Sequence, residues 1–196
     1  MDGLYPCKQM KKIFFLLLLP IALISCKSPE ERAWESKTIN DPSKMKKVLD
    51  EGVSPNLEAG TVPRRFLLQA ATERHRVETV KLLLARGADP DKRTWGFGKT
   101  CLFLAAYGKN LELAKALIDG GADVNATDEN GNTALREANG VKSAKMVELL
   151  LKNGANPLIT NKRGETMLDL AKKYGTPEIV ELMENPIERV APSNEP

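Results

Sequence analysis

The feature that most constrains this chain is a period of 33 residues: Thr100-Cys101-Leu102-Phe103 recurs as Thr133-Ala134-Leu135-Arg136 and again as Thr166-Met167-Leu168-Asp169. Each copy leads into an alanine, at Ala105, Ala138 or Ala171. Apolar helical runs follow the first two, Leu113 to Ile118 and Met146 to Leu151. They end in Gly121-Ala122-Asp123-Val124-Asn125 and Gly154-Ala155-Asn156-Pro157, and Gly87-Ala88-Asp89-Pro90 ends an earlier copy. Self-similarity at this spacing means one supersecondary unit repeated along the chain, each burying its apolar face against the next.

Thr-x-Leu opening one helix and Leu-Leu-Leu-x-x-Gly-Ala-Asp closing the next resembles the ankyrin repeat, a β-turn followed by two antiparallel helices. The resemblance runs over residues 33–186 and implies an all-α ankyrin-repeat solenoid, helix-turn-helix units joined by β-hairpin fingers. About four to five repeats are expected, degenerate caps included, with units near 33–60, 63–93, 97–129, 130–162 and 163–186. The threonine hydroxyls are expected to cap the first helices by accepting from a backbone N–H. Gly87, Gly121 and Gly154 fall just past the second helices, where the chain turns out through a left-handed residue. Between Gly87 and Gly121 the period is 34, and the extra residue fits the finger Arg93-Thr94-Trp95-Gly96-Phe97-Gly98. The histidine that follows Thr-Pro-Leu in the consensus is missing: Gln69, Phe103, Arg136 and Asp169 stand there, which implies a less rigid stack.

The start of the chain has another character. Lys11-Lys12 precede an apolar run from Ile13 to Leu19, then Pro20, Ile21, Ala22, Leu23, Ile24, Ser25 and Cys26. This reads as a signal peptide over 1–25, too short for a comfortable span of about 20 apolar residues. Leu23-Ile24-Ser25-Cys26 resembles the bacterial lipobox, which implies lipidation of Cys26; an uncleaved anchor or ordinary secretory peptide is the alternative. Met10 is the expected start, and Cys7 then lies outside the protein. One lipidated cysteine and one thiol, Cys101, exclude an intramolecular disulfide in the mature chain. Lys27 stands where an aspartate often signals inner-membrane retention, which favours the outer membrane; Glu30 and Glu31 leave a surface-export signal open, and the periplasmic side is the expected address. Residues 27–32 read as a polar tether, 33–186 as the repeat domain and 187–196 as a loose tail.

Lys8, Lys11 and Lys12 outweigh Asp2 in residues 1–25, so the +3 of the whole chain leaves about +1 for the rest, no field for nucleic acid. Catalysis finds little to work with, since His75 is the only imidazole and falls at an inter-helix turn, where it reads as a packing residue. Cys101 reads as a buried packing residue rather than a nucleophile. One histidine and one such cysteine cannot assemble the common zinc or copper sites, and no cofactor is expected. Gly98-Lys99-Thr100 imitates the end of a phosphate loop but has Arg93 where the pattern needs glycine. Asp123, Asn125, Asp128 and Asn130 imitate half a calcium loop, yet Ala134 holds the place of its glutamate.

What remains is a surface. Ankyrin stacks present finger tips and first helices as a concave wall that holds other proteins, and position carries Arg64, Arg65, Trp95, Phe97, Lys99 and Tyr107 onto or beside it. Glu129, Asn132, Lys162, Arg163, Glu165 and Tyr174 follow in the later units. Trp95 and Phe97 either anchor an interface or fold back onto the second unit. The expected protein is non-enzymatic and monomeric, held at the envelope by its lipid and bound to a protein partner. The alternative is an immunity or inhibitor protein that blocks a periplasmic hydrolase or toxin. A structural envelope protein organised by self-association, or an enzyme subunit, stands behind these.

Overall fold

The computed structural model describes residues 27–59, 65–94 and 97–185. The expected signal peptide, Met10, Cys7, Cys26 and the tail 187–196 lie outside them, as do Arg64 and Trp95. Eleven helices are described: α1 Pro29–Ala33, α2 Ser36–Ile39, α3 Pro42–Asp50, α4 Leu67–Glu73, α5 Val77–Ala85, α6 Cys101–Tyr107, α7 Leu111–Asp119, α8 Ala134–Gly140, α9 Ala144–Lys152, α10 Met167–Tyr174 and α11 Pro177–Glu184. Strands β1 Glu58–Ala59 and β2 Arg65–Phe66 pair antiparallel, and Thr160 bridges Thr166 in the same sense farther on.

The helices form two layers. First helices α4, α6, α8 and α10 pack side by side, and second helices α3, α5, α7, α9 and α11 pack behind them. The short first helices leave room because alanines face inward: Ala70, Ala71, Ala105, Ala106, Ala138 and Ala171 are buried. Leucine, valine and methionine of the second helices fill the seam, with Val80, Leu83, Leu113, Leu117, Met146, Leu150 and Ile179 fully enclosed. Each unit therefore hides its apolar face only against its neighbours, and stability is spread along the stack.

Two kinds of turn punctuate the units. Past the second helices, Gly52, Gly87, Gly121 and Gly154 take φ of 91°, 84°, 92° and 87°, as the Gly-Ala-Asp pattern predicts. Between the helices of a unit, His75, Lys109 and Lys142 also adopt positive φ, 55°, 54° and 53°. Side chains stand there in a conformation that costs an L-residue energy. The His75 ring lies over Gly108, where an added Cβ would come within 3.0 Å of Cε1.

Two expectations need correction. Residues 27–32 are not a plain tether, because Ser28 caps α1 in a reciprocal box with Glu31, and Arg32 pairs with Glu51, the residue that ends α3. The threonine caps hold only at Thr166, whose Oγ1 accepts from Asp169 N–H at 3.0 Å while the Asp169 carboxylate accepts in return. At Thr100 and Thr133 the third helical N–H bonds instead to the threonine's own carbonyl, at 3.2 and 3.0 Å. Their hydroxyls are buried without a hydrogen-bond partner.

Candidate functional site

The fingers build the front of the first-helix layer. Three hairpins close by backbone bonds at equivalent places: Thr94 N–H to Lys99 O at 2.8 Å, Asp128 N–H to Asn132 O at 2.8 Å and Asn161 N–H to Glu165 O at 2.9 Å. The first contains one residue more than the others, so the extra residue of the long period falls between Thr94 and Lys99. Neighbouring fingers are joined edge to edge. Glu129 N–H donates to Phe97 O and Lys162 N–H to Asn130 O, both at 2.9 Å. Gly131, at φ 78°, allows the second contact, since a Cβ there would meet the Asn161 Cα at 3.1 Å. Arg93 fastens the first pair from below, its Nη1 donating to Gly98 O at 3.1 Å and to Thr127 O at 2.6 Å.

On this hydrogen-bonded front the sequence candidates separate. Phe97 stands 68% exposed at its fingertip, and Tyr107 and Tyr174, at the C-terminal ends of α6 and α10, are 67% and 59% exposed. Lys173 places its ammonium 5.1 Å from the Tyr174 ring centroid. Glu129, Lys162 and Arg163 are exposed on the later fingers. Arg65 is exposed with Nη1 3.5 Å from Glu73. Lys99 and Glu165 are half-buried: the lysine pairs with Glu137 at 2.8 Å, and the glutamate accepts from the Asn161 amide at 3.4 Å. Asn132 leaves the set of surface candidates. It is only 7% exposed, its N–H donates to Asp128 Oδ1 at 2.9 Å and its amide to Asp128 Oδ2 at 3.2 Å, so it braces the finger.

Residues that the sequence reading passed over lock the units together beneath the fingers. The Asn56 amide donates to Gly87 O at 3.0 Å and its oxygen accepts from Asp89 N–H at 2.8 Å. Asn125 repeats both bonds, to Gly154 O at 3.0 Å and from Asn156 N–H at 2.8 Å. Between them, at the same place in the repeat, stands Asp91, which accepts from Asp123 N–H at 3.0 Å and has no amide to donate. Burial raises its pKa above the ordinary value; the Asp123 N–H opposes that, while the nearby Asp123 and Asp89 charges reinforce it.

Chemistry beyond binding has little footing among the described residues. Cys101 is buried, and loss of hydration pushes its thiol up to about 12, a poor nucleophile. No group of three or more His, Cys, Asp and Glu side chains among the described residues is placed to hold a metal ion. No described helix is long and apolar enough to cross a membrane.

With stacked helix pairs, left-handed glycine turns and bonded fingers in place, comparison with known proteins gives the class. Residues 67–161 match the family model described as ankyrin repeats, in three copies. The fold is an all-α ankyrin-repeat solenoid, and repeats of this class are protein-interaction modules, typically without enzymatic activity. Similar proteins include the human transient receptor potential cation channel subfamily A member 1, 42% identical over 69 residues, 35% of this chain and 6% of that protein. A fowlpox virus (strain NVSL) ankyrin repeat protein is 44% identical over 59 residues, 30% of this chain and 12% of its own length. The mouse ankyrin repeat and SAM domain-containing protein 6 is 35% identical over 95 residues, 48% of this chain and 9% of that protein. The matches thus span about one eighth or less of these relatives.

Proposed function

We propose that this chain is a non-enzymatic ankyrin-repeat lipoprotein of a bacterial cell envelope that holds a protein partner on its wall of fingers and first helices. The observation that carries the reading is the exposure of Phe97, Tyr107 and Tyr174 on a hydrogen-bonded, preformed front. Exposed aromatic side chains on a rigid surface are typical interface anchors, and a preformed surface loses little ordering entropy on binding. Support for the membrane anchor is the Lys11-Lys12 start, the apolar run from Ile13 and the Leu23-Ile24-Ser25-Cys26 sequence. The lipid concentrates the module at a surface, the outer membrane's periplasmic side being the favoured address, and the chain acts as a monomer.

Two experiments test it. Metabolic labelling with an alkyne fatty acid in a bacterial host should tag the wild type and not Cys26→Ala; labelling of neither refutes the anchor. Crosslinking in envelope extract should capture a partner whose yield drops in Phe97→Ala/Tyr174→Ala. Equal capture by both forms would move the site off this wall. An immunity role is the narrower version, and it requires the captured partner to lose hydrolytic or toxic activity when the chain is added.

A further inference from the structure

The second-helix layer holds a feature that the finger wall does not use. Between α7 and α9 lies a groove of about 440 Å³ whose floor includes Leu111, exposed at the start of α7, and Leu149, half-buried on α9. The corresponding place one repeat earlier is crossed by a salt bridge. Lys81 of α5 lies 2.8 Å from Glu78 on its own helix and 3.7 Å from Glu112 on α7. Advancing that rung by one repeat puts Lys115 in the place of Lys81 and Lys145 in the place of Glu112. Two ammonium groups therefore flank the groove where a lysine and a carboxylate cross its neighbour. Neither has a carboxylate within ion-pairing distance among the described residues. The acids at the rim are engaged: Glu148 pairs with Lys152 at 2.8 Å and Glu112 with Lys81.

We infer that this groove is a second docking site, on the face opposite the fingers, for an acidic protein segment that sets an aliphatic side chain on Leu111 and Leu149 and a carboxylate between Lys115 and Lys145. The chain itself shows a lysine paired across this seam with a carboxylate: in the preceding rung Glu112, at the place Lys145 takes here, faces Lys81. Apolar contact provides the area, and the carboxylate pairs with ammonium groups on both helices, so the pairing selects charge as well as shape. Rim glutamates on both helices limit the favourable charge to the neighbourhood of the lysines, which suits one placed carboxylate of a protein segment better than a continuous anionic lipid surface.

The test uses the full chain, labelled with nitrogen-15, and the peptide acetyl-Glu-Leu-Glu-Glu-Leu-Glu-amide, with its all-Gln counterpart and phosphatidylglycerol vesicles as separate arms. The acidic peptide should shift amide resonances of residues 111–115 and 145–149, more weakly as salt is added. Lys145→Glu should reduce affinity about tenfold. That variant restores the Lys–Glu rung, so it should melt no lower than the wild type, and its loss of binding cannot be assigned to unfolding. Undiminished binding by Lys145→Glu overturns the inference, as do equal shifts from the Gln peptide or no shifts at all. Vesicles that move these resonances while the peptide does not would make the groove a lipid contact instead. Shifts confined to the fingers would leave only the front wall as a binding surface.

Discussion

Replacing Asp91 by asparagine should make the stack more stable. Asn56 and Asn125 each donate to a glycine carbonyl and accept an N–H from the following unit; Asp91 makes only the accepting bond. Asparagine at 91 would regain the donor and reach the Gly121 carbonyl, which holds the place of Gly87 and Gly154. One such hydrogen bond is worth about 1 kcal/mol net. Loss of the negative charge beside Asp89 and Asp123 adds up to about 1 kcal/mol more, reduced by solvent screening. Together they should raise the melting temperature by about 2–4 °C per kcal/mol. The sign of the pH dependence follows from the raised pKa. A carboxyl whose folded pKa lies above its unfolded value destabilises the fold fully above the folded pKa, and the penalty disappears as pH falls below the unfolded value. The advantage of Asp91→Asn over wild type should therefore be greatest near neutrality and shrink in acid. Thermal unfolding at both pH values, with hydrogen exchange at the Asp123 amide, measures it. An unchanged melting temperature near neutrality, or an advantage that grows on acidification, would refute the reasoning.

Three other outcomes are expected. Lys109→Gly and Lys142→Gly relieve left-handed side chains and should each stabilise by about 1 kcal/mol in chemical denaturation; a loss of stability would mean that the lysine side chains hold the turns. Thr133→Val removes a buried hydroxyl without a partner and should be neutral or stabilising, whereas Thr166→Val breaks a capping box and should cost about 1 kcal/mol. Equal effects at the two sites, read by the same denaturation, would contradict the distinction. With its thiol at about 12, Cys101 should resist alkylation at neutral pH until the protein is unfolded; labelling of the native chain at the rate of a free thiol would refute its burial.

Much of the fold was legible because its signals are local. The glycines after the second helices require positive φ whatever surrounds them, and the position of the extra residue followed from comparing two spacings. What depends on contact between units was harder to read. Asn132 looked like a finger surface residue, yet the Asp128 carboxylate draws both its N–H and its amide inward. The threonines share a sequence position, but only Thr166 has an acidic residue three places on to complete the box. Phe103 and Arg136 stand at that place after Thr100 and Thr133. The ladder of Asn56, Asp91 and Asn125 recurs with the period, so it was open to sequence reading; its meaning lay in partners about one repeat away. Phe97 and Tyr174 are exposed, as their places at a finger and at a helix end suggest, and capture experiments test whether they meet a partner.

The finger closed by Thr94 and Lys99, one residue longer than the two after it, has a consequence for how such a chain can change. Its additional residue falls between Thr94 and Lys99, and the bond between these two closes the finger as the equivalent bonds close its shorter neighbours. Length added there is a matter of loop closure, and each doubling of a flexible loop costs only about 0.6 kcal/mol. New recognition sequence can thus be written in ahead of Phe97 without redrawing the scaffold, and residues inserted between Thr94 and Phe97, which keep the Phe97 and Gly98 carbonyls that hold Glu129 and Arg93, should leave the stack standing.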